Sequence, residues 1–182
     1  MSAAALSLIA MAKRSAGLLV YRRRARGVEA FLVHPGGPFW AKKDLGAWSI
    51  PKGEPAPEED ALAAARREFA EETGQAVDGE FTKLPACRPS GGKEIVAWAI
   101  EAEVDEMAVV SNTCTVEWPP HSGKQLEIPE VDRGAWFTLD QARRKINKGQ
   151  VPLIEALAAA IETSRRRALR VAQRPRRAKL RT

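Results

Sequence analysis

The segment from Gly53 to Gly74, GEPAPEEDALAAARREFAEETG, constrains this chain more than any other stretch. Residues 57–73 hold no glycine and many alanines, which predicts a helix, and Gly74 stands where a C-terminal cap belongs. At about 3.6 residues per turn, Glu68, Glu71 and Glu72 share one face, because they sit at i, i+3 and i+4. Leu62, Ala65 and Phe69 form an adjacent apolar stripe that would fasten the helix to a core. Like charges at these spacings cost an isolated helix about 0.2–0.5 kcal/mol per pair, so solvent or a cation has to compensate. Hard divalent ions take oxygen ligands, and Mg²⁺ commonly binds a few carboxylates together with substrate phosphates. An exposed acidic face supported by Arg66 and Arg67 is the plainer reading of the same pattern.

The flanking sequence predicts strands. Residues 15–21 form an apolar run followed by Arg22, Arg23 and Arg24, and residues 29–34 supply a partner beyond a turn at Gly27. Residues 49–53 read as a brief extended stretch, with strands also expected at 81–87, 93–104, 125–128 and 134–137. Residues 105–120 read as irregular. Thr138 with Gln141 fits a capping box for a short helix, and Pro152 opens a last helix with Leu153, Ile154, Leu157 and Ile161 on one face. Strands before, between and after a few helices predict an α+β domain, a mixed sheet sandwiched by helices.

At 182 residues the chain suits one domain, and it holds no apolar run near the roughly 18 residues that span a bilayer, so a soluble protein is expected. Residues 1–12 read as a loose extension, with Met11 an alternative start, and residues 13–164 as the domain. The net charge of +6 is unevenly spread: residues 165–182 hold nine Arg or Lys and no acid, while the rest holds 20 basic and 23 acidic residues. That end is expected to be a mobile tail, either a solvated charge run or a tether for RNA or another polyanion. Cys87 and Cys114 stand apart, suit a reducing cytoplasm and do not resemble zinc ligands.

The full spacing adds specificity. Glycine, five residues, Glu, seven residues, Arg-Glu, an apolar residue, any residue, Glu-Glu, any residue and glycine fit Gly53, Glu59, Arg67, Glu68, Phe69, Glu71, Glu72 and Gly74. The segment resembles the box of the Nudix hydrolases, departing from it at Gln75, where that family usually has an apolar residue. The resemblance implies a Nudix-type α/β/α sandwich whose box forms a loop–helix–loop. It implies Mg²⁺ or Mn²⁺ held by Glu68, Glu71 and Glu72 with the Lys52 carbonyl, and Arg67 orienting the carboxylates while Glu59 braces it. The implied reaction is attack of water on a pyrophosphate linkage, with a nucleotide as substrate.

A further acid outside the box is expected among Glu117, Glu127 and Glu130, with Glu127 preferred. Trp40, Lys42, Lys43 and Lys52 are candidates to contact a base and phosphates, whereas Trp48 and His34 read as structural. The WSIPKG approach to the box is similar to that of dinucleoside polyphosphate hydrolases, and more weakly to predicted bacterial NTP pyrophosphohydrolases. Diadenosine tetraphosphate is therefore the expected kind of substrate. An NTP or RNA 5′-end pyrophosphohydrolase and a non-catalytic nucleotide-binding module are the alternatives.

Overall fold

The computed structural model describes residues 14–90 and 92–172. Strand β1 (Arg14–Arg24) is buried at each position from Ser15 to Val20, which requires cover on both faces. Alternation divides that burial between two cores. Ala16, Leu18 and Val20 join Phe31 and Val33 of β2 (Gly27–Pro35) beneath Ala64, Ala65 and Phe69 of helix α1 (Ala61–Thr73). Leu19 joins Ala30 and Leu32 on the other face, against α2 (Leu139–Lys145) and Leu153, Ile154 and Leu157 of α3 (Val151–Ala172).

The sheet between these layers is mixed. The remaining strands are β3 (Lys52–Gly53), β4 (Thr82–Lys83), β5 (Glu94–Glu101), β6 (Thr113–Glu117), β7 (Gln125–Pro129) and β8 (Val131–Thr138). The order is β4–β5–β1–β2–β8, with β3 added to β1 and a separate β6–β7 hairpin. Residues 14–21 of β1 run parallel to residues 94–101 of β5, while β1 pairs antiparallel with β2 and β3. This is the expected α/β/α sandwich, and the Thr138–Gln141 capping box is present at α2.

Several boundaries differ from the sequence reading. Helix α1 starts at Ala61 rather than residue 57, because Asp60 caps it by accepting from the Leu62 and Ala63 N–H groups at 3.0 Å. The strand expected at 81–87 shrinks to Thr82–Lys83 plus one bridge between Cys87 and Ile95. Residues 105–120 are not wholly irregular, since Thr113–Glu117 pair with Gln125–Pro129. At the C-terminus α3 continues through Ala172, so residues 165–172 are helical where a mobile tail was expected. The expectations for residues 1–13 and 173–182 lie outside the described residues.

Gln75, the departure from the box pattern, acquires a definite task. Its side-chain NH₂ donates to the Asp105 carbonyl at 2.8 Å, and its carbonyl accepts from the Asp105 N–H at 2.9 Å. Two further bonds continue this attachment, from Val110 N–H to the Thr73 carbonyl and from Asn112 N–H to the Glu71 carbonyl, each 3.1 Å. The end of α1 thus holds the 105–112 segment. Asn112 in turn accepts from the Glu130 N–H at 2.9 Å, so the same segment fixes the turn between β7 and β8.

Candidate active site

Helix α1 presents its acidic face to the loop that precedes it. Phe69 is fully buried and packs against Phe31, with ring centroids 6.5 Å apart, which sets the rotation of the helix. Burying such a ring is worth about 1.5–3 kcal/mol. Gly74 closes the helix at φ 71°, its N–H donating to the Ala70 carbonyl, a conformation that favours glycine.

Arg67 is the hub of the carboxylate cluster. Its Nε and Nη2 donate to the two oxygens of Glu59 at 2.9 and 3.0 Å, a bidentate pair. Its Nη1 donates to Glu68 at 2.9 Å and to both oxygens of Glu71 at 3.1 and 3.2 Å, while Nη2 also reaches the Glu54 carbonyl. The Arg67 bonds and the Ala56 N–H hold the Glu59 carboxyl down to about 2. Glu59, Arg67, Glu68 and Glu71 therefore form one array whose single cation cannot neutralise all the acids.

Glu72 faces away from Arg67. Its Oε2 accepts from the Lys52 main-chain N–H at 3.2 Å, and burial pushes its carboxyl up to about 7. The Lys52 charge works against that rise, while Glu68 and Glu130 add to it. Burial also raises Glu68, opposed by Arg67 and reinforced by Glu71 and Glu130. A Cβ on Gly53 would overlap the Glu68 carboxylate, so only glycine lets that acid lie against the loop.

Glu72 and Glu130 share a recess of about 120 Å³ with Pro35, Ser49 and Lys52. Among the acids weighed outside the box, Glu130 is therefore the one beside the cluster. Glu127 instead accepts from the Thr113 hydroxyl on the exposed β6–β7 hairpin at 2.7 Å, and Glu117 accepts from the Gly123 N–H in its turn. Sequence alone favoured Glu127, because nothing in LEIPEVD announces that the chain turns back toward α1 at Glu130.

Among the described residues, no three His, Cys, Asp or Glu side chains already converge as a metal site. The donor set nonetheless suits a hard divalent cation: Glu68 and Glu72 are partly buried acids whose charge is disfavoured first by burial and then by neighbouring acids, Glu71 and Glu130 for Glu68 and Glu68 and Glu130 for Glu72, and glycine at position 53 leaves room for the Glu68 carboxylate. A cation there would relieve the repulsion, and Arg67 already orients Glu68 and Glu71.

A larger cavity of about 410 Å³ opens beside this recess and shares Pro35, Ser49 and Lys52 with it. Trp40 and Lys52, two of the candidate substrate contacts, line it together with Trp48. Lys42 and Lys43 do not line it; Lys43 rests its Nζ 3.2 Å from the centroid of the Phe39 ring. Lys93, Asn147 and Gln150 do line it and were missed. Lys93 follows two glycines in the sequence, a weak signal, and Gln150 is buried where its side-chain carbonyl accepts from the Ile50 N–H at 3.1 Å.

His34 and Trp48 are structural in their contacts. His34 is fully buried, its Nδ1 3.0 Å from Asp132 and its Nε2 2.8 Å from the Lys43 carbonyl. Trp48 is 4% exposed, stacks edge-on with His34 and Phe137, and donates from Nε1 to Asp44 at 2.9 Å. Both fasten the 36–47 loop that carries Trp40.

Comparison with known proteins agrees with this geometry. A model of the NUDIX domain matches residues 11–157. The fold is similar to a Caenorhabditis elegans Ap4A hydrolase solved as a binary complex, at 23% identity and TM-score 0.57, covering 82% of this chain and 98% of that one. It is also similar to the NUDIX domain of Shewanella oneidensis NrtR complexed with ADP ribose, at 16% identity and TM-score 0.57, covering 82% and 88%. A mutT/nudix family protein from Listeria innocua gives 17% identity and TM-score 0.52, covering 84% and 95%. No curated protein sequence matches the chain. With the family model spanning most of its length and the box acids gathered around Arg67, the chain belongs to the Nudix family and is a hydrolase of pyrophosphate bonds.

Proposed function

We propose that the enzyme hydrolyses dinucleoside polyphosphates of the diadenosine tetraphosphate kind, with Mg²⁺ or Mn²⁺. The observation that carries this reading is the shared wall of Pro35, Ser49 and Lys52 between the aromatic cavity and the acidic recess. A nucleoside in the larger cavity would stack on Trp40, and Lys52 and Lys93 would meet its phosphates on the way to Glu72. Phe39, 55% exposed and edge-on to Trp40 at 4.9 Å, offers a second aromatic surface outside the cavity. Two aromatic platforms favour a substrate with two bases.

A divalent ion at such a site lowers the pKa of a water and neutralises phosphate charge. The protein supplies the rest. Arg67 holds Glu68 and Glu71 in place and the Lys52 N–H holds Glu72, while the Lys52 carbonyl would join these acids as a ligand. Glu130 would take the proton as the water oxygen bonds to phosphorus and the bridging P–O bond breaks, the electron pair leaving on the departing phosphate. The retained box acids argue against a non-catalytic binding module. Cys87 and Cys114 are both unpaired, which supports a reducing, cytoplasmic setting.

The test is kcat/KM for diadenosine tetraphosphate, ATP, ADP-ribose and 5′-triphosphate RNA with Mg²⁺. The expected result is a clear preference for the dinucleotide. Preference for ATP or for the RNA end would replace this substrate with the corresponding alternative.

A further inference from the structure

Helix α3 outlasts its packing. Leu153, Ile154 and Leu157 are buried, but every residue from Glu162 to Arg170 is exposed, and this stretch lies beyond the family match, which ends at 157. Packing does not hold these turns; good helix formers continuing an anchored helix do. Arg166, Arg167 and Arg170, together with Thr163, fall within roughly one third of the helix circumference at about 3.6 residues per turn.

The Arg166–Arg170 and Arg167–Arg170 pairs sit at i+4 and i+3, so each is destabilising by about 0.2–0.5 kcal/mol. Only Arg166 has an acidic partner among the described residues, Glu162 at 2.7 Å, and its side chain is still 73% exposed. The sequence outside the described residues contains no Asp or Glu that could neutralise the others. This is a cationic face with unrelieved repulsion, on a chain whose residues 1–164 carry more acid than base.

We infer that the Thr163–Arg170 face of α3 docks the phosphate backbone of a nucleic acid. Several arginines in a row along an exposed helix match a repeating anion, and each phosphate contact would release a counterion. An anionic membrane fits less well. The opposite face sets Arg165 between Ala168 and Leu169, so it offers no continuous apolar surface to insert. The surface is independent of which small nucleotide the catalytic cleft prefers.

The test uses the full chain and a fluorescein-labelled 20-nucleotide single-stranded RNA, followed by anisotropy between 50 and 300 mM KCl. Duplex DNA of equal length and phosphatidylserine-containing vesicles serve as parallel probes. The triple variant Arg166→Ala, Arg167→Ala, Arg170→Ala should bind RNA at least tenfold more weakly at 100 mM KCl. Its log K against log salt slope should be shallower by about 2, from roughly 0.7 counterion per phosphate contact on a single strand. The matching triple lysine variant should restore most of the slope, and kcat/KM on a small nucleotide should be unchanged in both. Equal affinity and slope in the alanine variant, or binding to vesicles but to neither nucleic acid, would overturn the inference.

Discussion

The main-chain N–H of Lys52 donates to the Glu72 carboxylate at 3.2 Å, joining the loop before the box to a helix residue 20 positions later. That bond places Glu72 in the same recess as Glu130, beside the aromatic cavity with which the recess shares Lys52. It also places Glu72 where burial disfavours its charge.

Stability of the metal-free protein should therefore fall as pH rises through this range. Glu72 titrates at about 7 in the folded chain against 4.5 for the ordinary group, so between these values the folded state binds more protons than the unfolded state. The slope is consequently negative from about 4.5 to about 7 and levels off above, a change on the order of 1–3 kcal/mol. Urea unfolding in EDTA across this range should show it, and Glu72→Gln should flatten it. An unaltered slope in the variant would assign the titration to another group.

Gly53→Ala tests the cradle. The added Cβ must displace either the Glu68 carboxylate or the loop. We expect kcat to fall by at least tenfold with KM changed far less, because the cavity proposed to take the nucleotide is lined by other residues. A rise in KM at constant kcat would show that the loop moved and the acid did not.

The two tryptophans should separate binding from folding. Trp40→Ala leaves a half-buried position and should raise KM with little effect on Tm. Trp48→Ala empties a buried site against His34 and Phe137 and should cost about 3–5 kcal/mol. Kinetics and thermal melts on both variants decide it; a stable Trp48→Ala protein with raised KM would reverse the assignment.

These contrasts show what the sequence could and could not reveal. The helix, its glycine cap and the acids around Arg67 were legible because their spacing is local, set by the 3.6-residue period. The two-sided burial of β1 was visible as an unbroken apolar run. Glu130 was not singled out, because its place depends on Asn112 being tied to the end of α1, a contact across the chain with no local signature. Lys93 was missed for the same reason: it enters the cavity through the parallel pairing of β5 with β1. The start of α1 was misplaced by four residues because Asp60, capping the helix from outside, outweighs the helix-compatible composition before it.

Glu130→Gln and Glu127→Gln distinguish the two candidate proton acceptors. Glu130 lies in the recess with Glu72, whereas Glu127 bonds to Thr113 on the hairpin. Removing a positioned base typically costs about 10²–10⁴ in rate, so Glu130→Gln should lose at least a hundredfold in kcat and Glu127→Gln little. The reverse ranking in steady-state rates would return the role to the hairpin.

The most direct test of the whole account is turnover of diadenosine tetraphosphate with Mg²⁺ by the wild-type chain and by Glu72→Gln. The box acids are predicted to carry the reaction, so the wild type should hydrolyse the substrate only with a divalent ion present. The variant should lose nearly all of that activity while unfolding at or above the wild-type temperature in EDTA. A folded Glu72→Gln protein with wild-type turnover would contradict the account.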